Sequence, residues 1–268
     1  MQTILFLASA ALYAICALLP SRQGRAISAV TGLAWLLHGS ALAQDLLVPG
    51  ALRLGFAQVL SAAIWVSVAA YWLENRNYAL DGMRRLVMPS ALLTSLLPLA
   101  FPGAVLALDG RSALFGWHIA IAILAYATLT IAAFHAVLMA LQESHLHMRK
   151  LNQDGWLAHA VEQLPALLTM EKLLFRLIGF GFVLLSLTVL SGVVFSEQLF
   201  GRAVRWDHKT VFTLLSWVLF AVLLAGRRWR GWRGKTALSF MLAGFSTLLL
   251  AYVGSRFVME VILHRGVA

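Results

Sequence analysis

The 268-residue sequence predicts an all-α fold: a polytopic membrane helix bundle of about eight transmembrane helices. Three observations predict it. Hydrophobic residues make up 61% of the chain and charged residues only 12%, about half the charge of a typical soluble domain. The apolar residues gather into eight long stretches. The connections between them are short, so residues 1–268 read as a single integral membrane domain with no room for a separate soluble one.

A bilayer core about 30 Å thick takes roughly 20 mostly apolar helical residues to cross. The first stretch, Gln2–Pro20, holds the only cysteine, Cys16. One thiol builds no disulfide framework, and Cys16 reads as a small packing residue. Met1-Gln2-Thr3 lacks the basic start of a signal peptide, so this stretch reads as a retained helix. The second, Arg25–Leu47, carries His38, and the third is Leu54–Leu73. The fourth, Leu86–Phe101, is short, and Pro89 and Pro98 predict a kink. A loop over Pro102–Arg111 follows, with turn residues Pro102, Gly103 and Gly110. The fifth, Ser112–Leu141, carries His118 and His135 and continues as a cytoplasmic extension into the polar Gln142–Lys172 connection. The sixth, seventh and eighth are Leu174–Phe195, Thr210–Gly226 and Ala237–Met259. Helix is expected nearly throughout, because lipid cannot satisfy open backbone groups.

The net charge of +10 raises nucleic acid as a partner. Topology explains it better. Of 21 Lys and Arg residues, fourteen fall in one alternate set of loops, including Arg84-Arg85, Arg149-Lys150 and Arg227–Lys235. Seven fall in the other set, including Arg53, Arg111, Lys209 and Arg265. The richer side should be cytoplasmic. Both termini then face outward, to the periplasm of a bacterial inner membrane. The turn Arg227–Lys235 also holds Trp229 and Trp232, a composition suited to lipid headgroups. Membrane lipid and a membrane-protein partner are expected, and nucleic acid is not.

Ionisable side chains at membrane depth are costly, so each histidine there is a candidate site residue. With a rise of about 1.5 Å per residue, four of the eight histidines fall toward the outer side. His38 lies past the middle of the second helix, and His118 near the outer end of the fifth. His208 precedes the seventh helix, and His264 follows the eighth. His135 lies 17 residues beyond His118, roughly 25 Å along the axis, so the two cannot share a metal. His145, His147 and His159 read as solvated side chains of the cytoplasmic connection. Neutral imidazole is a good axial ligand for haem iron. Aromatic walls are at hand in Trp35, Trp117, Tyr126, Trp206 and Trp217. The competing reading is a histidine hydrogen-bonded to a neighbouring helix. For His38 and His118 both readings stay open; for His208 and His264 the plain polar role is favoured by residue type alone.

Several fragments, in order, carry a resemblance: Trp117–Ala127 with Tyr126, Pro165–Lys172, Gly179–Val183, Ser191-Gly192, Gly231–Gly234 and Leu250–Arg256. Through these the chain resembles the cytochrome c assembly membrane protein family that includes CcsA and HemX. It is most similar to the YpjD-type inner-membrane branch. The resemblance implies haem as cofactor and supports His38, His118 and His264 as its binding residues, with His38 and His118 as iron ligands; His208, inside the remnant motif Trp206–Thr210, joins them as a candidate by its outer-side position. His118 matches the family histidine ahead of the Tyr126 motif, and His264 falls near a C-terminal one. Where CcsA-type members carry a tryptophan-rich external segment ending in Trp-Asp-x-Lys-Glu, this chain has Trp206-Asp-His-Lys-Thr210. A large external domain is also missing. The resemblance therefore implies haem binding or export rather than the attachment reaction itself.

The sequence thus points to a haem-handling accessory protein of cytochrome c maturation or haem homeostasis. Its rival is a cofactor-free regulatory or structural subunit of a membrane transporter. No metal-hydrolase motif, nucleotide loop or nucleophile motif stands in the chain, so no enzyme activity is expected.

Overall fold

The computed structural model describes residues 1–20, 23–78, 81–107, 113–147, 164–200 and 206–262. His159 and His264 lie outside them, as do the side chains of His145, His147 and Glu260. The elements run α1 (Gln2–Leu18), α2 (Gly24–Leu46), β1 (Leu47–Val48), β2 (Ala51–Leu54), α3 (Phe56–Tyr78) and α4 (Arg84–Ala100). Then come β3 (Ala104–Ala107), α5 (Ala113–His147), α6 (Leu167–Phe200), α7 (His208–Arg230) and α8 (Gly234–Leu249). The last helix continues past α8 through two π-helical stretches, Leu250–Gly254 and Val258–Ile262.

The chain is a polytopic all-α membrane bundle. Six of the described helices are long and apolar enough to cross a bilayer. The sequence predicts eight crossings; α1 and α4, at 17 residues each, fall short of that length. α5 has 35 residues, roughly 50 Å at the usual rise. It outruns a bilayer core, as its predicted extension requires.

The helices pack in chain order with one bridge. α1 lies against α2 and α4, and α3 touches α2, α4 and α5. α5 packs on α6 and α8, and α7 on both α6 and α8. Small residues make these approaches close. Ala125, Ala127, Ala132, Ala133 and Ala136 are all buried on α5. A Cβ at Gly181 of α6 would stand 2.7 Å from Leu129. In lipid, where apolar surface gains nothing by leaving solvent, such packing supplies much of helix association. Apolar side chains on α6, Phe180 and Leu190 among them, are exposed in the bundle and suit lipid.

α2 and α3 are locked by indoles. Trp35 and Trp65 stack at 4.7 Å, and each Nε1–H donates to the other's carbonyl oxygen, at 3.0 and 2.9 Å. Gly39 lets Trp65 lie flat, since an added Cβ would come within 2.7 Å of the ring. Gly39→Val should therefore cost about 1–3 kcal/mol by overpacking. Thermal denaturation in detergent checks this, and an unchanged midpoint would contradict the packing described.

One expectation needs correction. The loop expected over Pro102–Arg111 contains a strand, Ala104–Ala107, which completes a three-stranded antiparallel sheet, β1-β2-β3. Val48 pairs with Ala51 across Pro49-Gly50, and Gly50 has φ 70°. Proline then glycine at the centre is the pairing a type II turn favours. The sheet caps the helix ends beside a buried polar knot. Asp45 at the end of α2 accepts from Arg53 Nη1 at 2.9 Å and from Gln58 Nε2 at 3.1 Å. Gln58 Nε2 also donates to the Phe101 carbonyl oxygen at 3.2 Å.

Candidate functional site

His38 is fully buried on α2. Its Nδ1 lies 3.3 Å from the Tyr13 hydroxyl of α1, and its Nε2 2.8 Å from the Ser61 hydroxyl of α3. Phe6 and Tyr13 meet the ring edge-on. The helix order brings α1, α2 and α3 together at this height, and a histidine with two hydroxyl partners joins them. Both ring nitrogens are engaged, so an iron atom at His38 would have to displace Ser61 or Tyr13.

His118 is placed differently. It sits half-buried on α5 against α6, with Nδ1 2.7 Å from Ser191 Oγ. The Ser191 hydroxyl donates to the Leu187 carbonyl oxygen at 2.7 Å. Ser191 accordingly accepts from His118 Nδ1–H, and Nε2 becomes the lone-pair nitrogen. A backbone or hydroxyl partner on one ring nitrogen is the usual device for aiming the other at a metal. Gly192 leaves room for the ring, since an added Cβ would lie 3.7 Å from His118 Cε1.

One cation stands near this histidine, and a second stands near that cation. Lys209 of α7 lies within electrostatic reach of His118. Its Nζ is 4.8 Å from the centre of the Tyr252 ring, and the Arg256 guanidinium is 5.8 Å from the same ring. Tyr252 is in the π-helical stretch Leu250–Gly254, and Tyr126 of α5 donates its hydroxyl to the Leu248 carbonyl oxygen at 2.6 Å. A π turn shifts the backbone bonds by one residue and is frequent at functional sites. Here it accompanies the docking of α5 on the last helix.

His208 is exposed at the first turn of α7. The segment Trp206–Thr210 folds as a helix start: Asp207 Oδ1 accepts from Thr210 N at 2.8 Å and from Thr210 Oγ1 at 2.9 Å. That is an ordinary N-cap. Trp206 and Trp117 are exposed, whereas Trp35 and Trp217 are used in packing, Trp217 donating to Ser186 Oγ at 2.9 Å. The Arg256 guanidinium lies 5.8 Å from the centre of the Tyr252 ring. Among the described residues, no three of His, Cys, Asp and Glu gather into a metal-ion cage.

A second joint lies at the opposite end of these helices. Glu171 of α6 pairs with Arg227 Nη1 at 2.6 Å and Arg233 Nε at 3.4 Å. Arg227 also donates to the Trp232 carbonyl oxygen at 3.2 Å and covers the Phe175 ring at 4.5 Å. A Cβ at Gly226 would collide with the Trp232 indole. Two of the basic residues in the Arg227–Lys235 turn are thus tied to α6 rather than left for headgroups.

The fold and this arrangement define a multi-helix membrane protein with a histidine and two cations gathered where α5, α7 and the last helix meet. A family profile described as cytochrome C assembly protein matches residues 3–263, and the chain belongs to that family. It is 34% identical over 145 residues to the inner membrane protein YpjD of Escherichia coli strain K12, covering 54% of this chain and 52% of the relative. It is 28% identical over 143 residues to the cytochrome c biogenesis protein CcsA of Chlamydomonas reinhardtii, covering 53% and 38%. With CcsA of Gloeobacter violaceus it shares 33% over 92 residues, covering 34% and 27%. The matched part spans about half the length of these relatives or less. The motifs quoted from the sequence meet in two places. Trp117–Ala127, Ser191-Gly192 and Leu250–Arg256 meet around His118 and Tyr126, and Pro165–Lys172 meets Gly231–Gly234 at Glu171.

Proposed function

We propose that this protein is a bacterial inner-membrane factor of cytochrome c maturation or haem homeostasis, and that it binds or relays haem at the outer end of the bundle. The observation that carries this reading is the His118 side chain, held by Ser191 through Nδ1, with Lys209 within electrostatic reach and Arg256 near Lys209 by the Tyr252 ring. Imidazole ligates haem iron. Lysine and arginine pair with carboxylates, the groups that haem carries as propionates. His118 is the first candidate ligand for the iron. His208 and His264 are the outer-side candidates for a second ligand, and His38 joins only if its Ser61 bond opens. Bound haem would supply its own redox and ligand-exchange chemistry. The chain's part is to hold the ring, neutralise its carboxylates and wall it with aromatic and aliphatic groups.

An absorption spectrum of protein purified from haem-sufficient cells tests this directly. A Soret band that persists through purification is expected. Its absence would return the chain to the cofactor-free class of membrane subunit.

The proposed orientation puts both termini in the periplasm, because the basic residues crowd the loops that include Lys150 and Lys235. Reporter fusions after either residue should read as cytoplasmic. A periplasmic signal at both would invert the protein and place His118 on the inner side.

A further inference from the structure

The other half of the bundle holds a buried pair that the haem reading does not use. Glu74 of α3 and His135 of α5 meet with Oε2 and Nε2 3.5 Å apart. The His135 side chain is fully buried, and Glu74 keeps 18% of its side chain exposed. Among the described residues neither Oε2 nor Nε2 has another hydrogen-bond partner.

The second ring nitrogen decides the chemistry. His135 Nδ1 lies 2.9 Å from the Ile131 carbonyl oxygen, one turn back on α5. A carbonyl oxygen only accepts, so Nδ1 carries a hydrogen. In neutral imidazole Nε2 then holds only a lone pair, and an ionised carboxylate offers only lone pairs as well. Two acceptors facing each other in a buried site gain nothing and repel. One added proton turns the contact into a hydrogen bond. Either the carboxyl O–H donates to Nε2, or imidazolium Nε2–H donates to the carboxylate.

We propose that Glu74 and His135 form a proton-binding site in the inner half of the membrane bundle, holding one proton between carboxyl Oε2 and imidazole Nε2. The ligand is a proton taken from water; one O–H or N–H bond forms and nothing else changes hands. Entry is through Glu74, because His135 is sealed. Glu74 keeps 18% of its side chain exposed, where a proton from water can reach it. The packed elements bring other charges to this end. Arg25 is on α2, Arg84 and Arg85 begin α4, and Glu143 is further along α5. Arg76 is drawn over Trp72, at 4.5 Å, and Glu171 of α6 is matched by Arg227 and Arg233. None of these assigned contacts supplies the hydrogen that the Glu74–His135 contact requires.

The test uses the full chain in lipid nanodiscs and does not depend on haem. Infrared difference spectra report a protonated carboxyl group, and nitrogen-15 NMR of labelled histidine reports both ring nitrogens. Across about pH 5 to 8, where histidine ordinarily changes charge, one proton per chain should be found on the pair. It appears either as a carboxylic acid band or as a doubly protonated His135. Glu74→Gln keeps a donor facing Nε2 but has no carboxyl group. It should abolish the acid band and leave His135 neutral with Nδ1–H. If Glu74→Gln fails to insert, His135→Asn makes the comparison from the other side and should shift or remove the same signature. An ionised Glu74 facing a bare Nε2 throughout that range overturns the proposal, as does a signature untouched by the variant that folds. A missing Soret band leaves these readouts intact, so the two proposals fail separately.

Discussion

His118→Ala is expected to abolish the retained Soret band, the largest effect of any single change on cofactor content. The residue supplies Nε2, and the structure offers no neighbouring donor on α5 to replace it: Trp117 is exposed and Ile119 is apolar. Ser191→Ala should act more gently. It removes only the oxygen that accepts from Nδ1–H at 2.7 Å, and losing such an outer partner typically weakens metal affinity about 10–100-fold. His145→Ala, at the far end of α5, should leave the spectrum unchanged. Lys209→Ala and Arg256→Ala should weaken retention without altering the iron's ligand-field bands, since they act on carboxylates. Measuring haem stoichiometry and the spectrum of each variant checks the set. Full haem content in His118→Ala, with the protein correctly inserted, would remove this residue from the site.

The helices were readable because a membrane imposes one rule, apolar length, and composition obeys it. Predicted ends lie within a few residues for α1, α2 and α4. α6 starts seven residues earlier than expected, at Leu167, because the charged Glu171 that interrupts the apolar run is paired with Arg227 within the bundle. The small sheet was missed because its strands are two to four residues long. Too few side chains are involved for alternation to show. Pro49-Gly50 was the one signal, a turn pair between two apolar stretches. The position of His118 on the fifth helix was legible; its Ser191 partner was not, because 73 residues separate them. The same holds for Tyr13 with His38 and for Glu74 with His135. Sequence places an ionisable residue at a depth, but only the packing of distant helices shows which partners its ring nitrogens meet, Tyr13 and Ser61 at His38 and Ser191 at His118.

Glu171→Ala is expected to give the largest loss of stability. Glu171 is buried, with its side chain 10% exposed, and Arg227 is 25% exposed. Removing one partner of a buried pair typically costs about 3–5 kcal/mol, because the other charge stays desolvated. Arg227 reaches some solvent, so the expected loss is smaller, about 2–3 kcal/mol. The loss should spread to Arg227's other contacts, the Trp232 carbonyl and the Phe175 face, which depend on where the guanidinium is held. Arg227→Ala should cost about as much, while Arg233→Ala, on a side chain 64% exposed and 3.4 Å away, should cost under about 1 kcal/mol. A double-mutant cycle between positions 171 and 227, read by denaturation in detergent, isolates the pair. Equal losses for Arg227→Ala and Arg233→Ala, or no coupling in the cycle, would contradict the geometry. The joint also separates the two ends of the molecule functionally. It ties α6 to the turn between α7 and α8, away from His118, so these variants should melt earlier while any haem spectrum of the folded fraction stays as it was. A shifted Soret band in folded Glu171→Ala protein would mean that the inner joint and the outer histidine act as one unit.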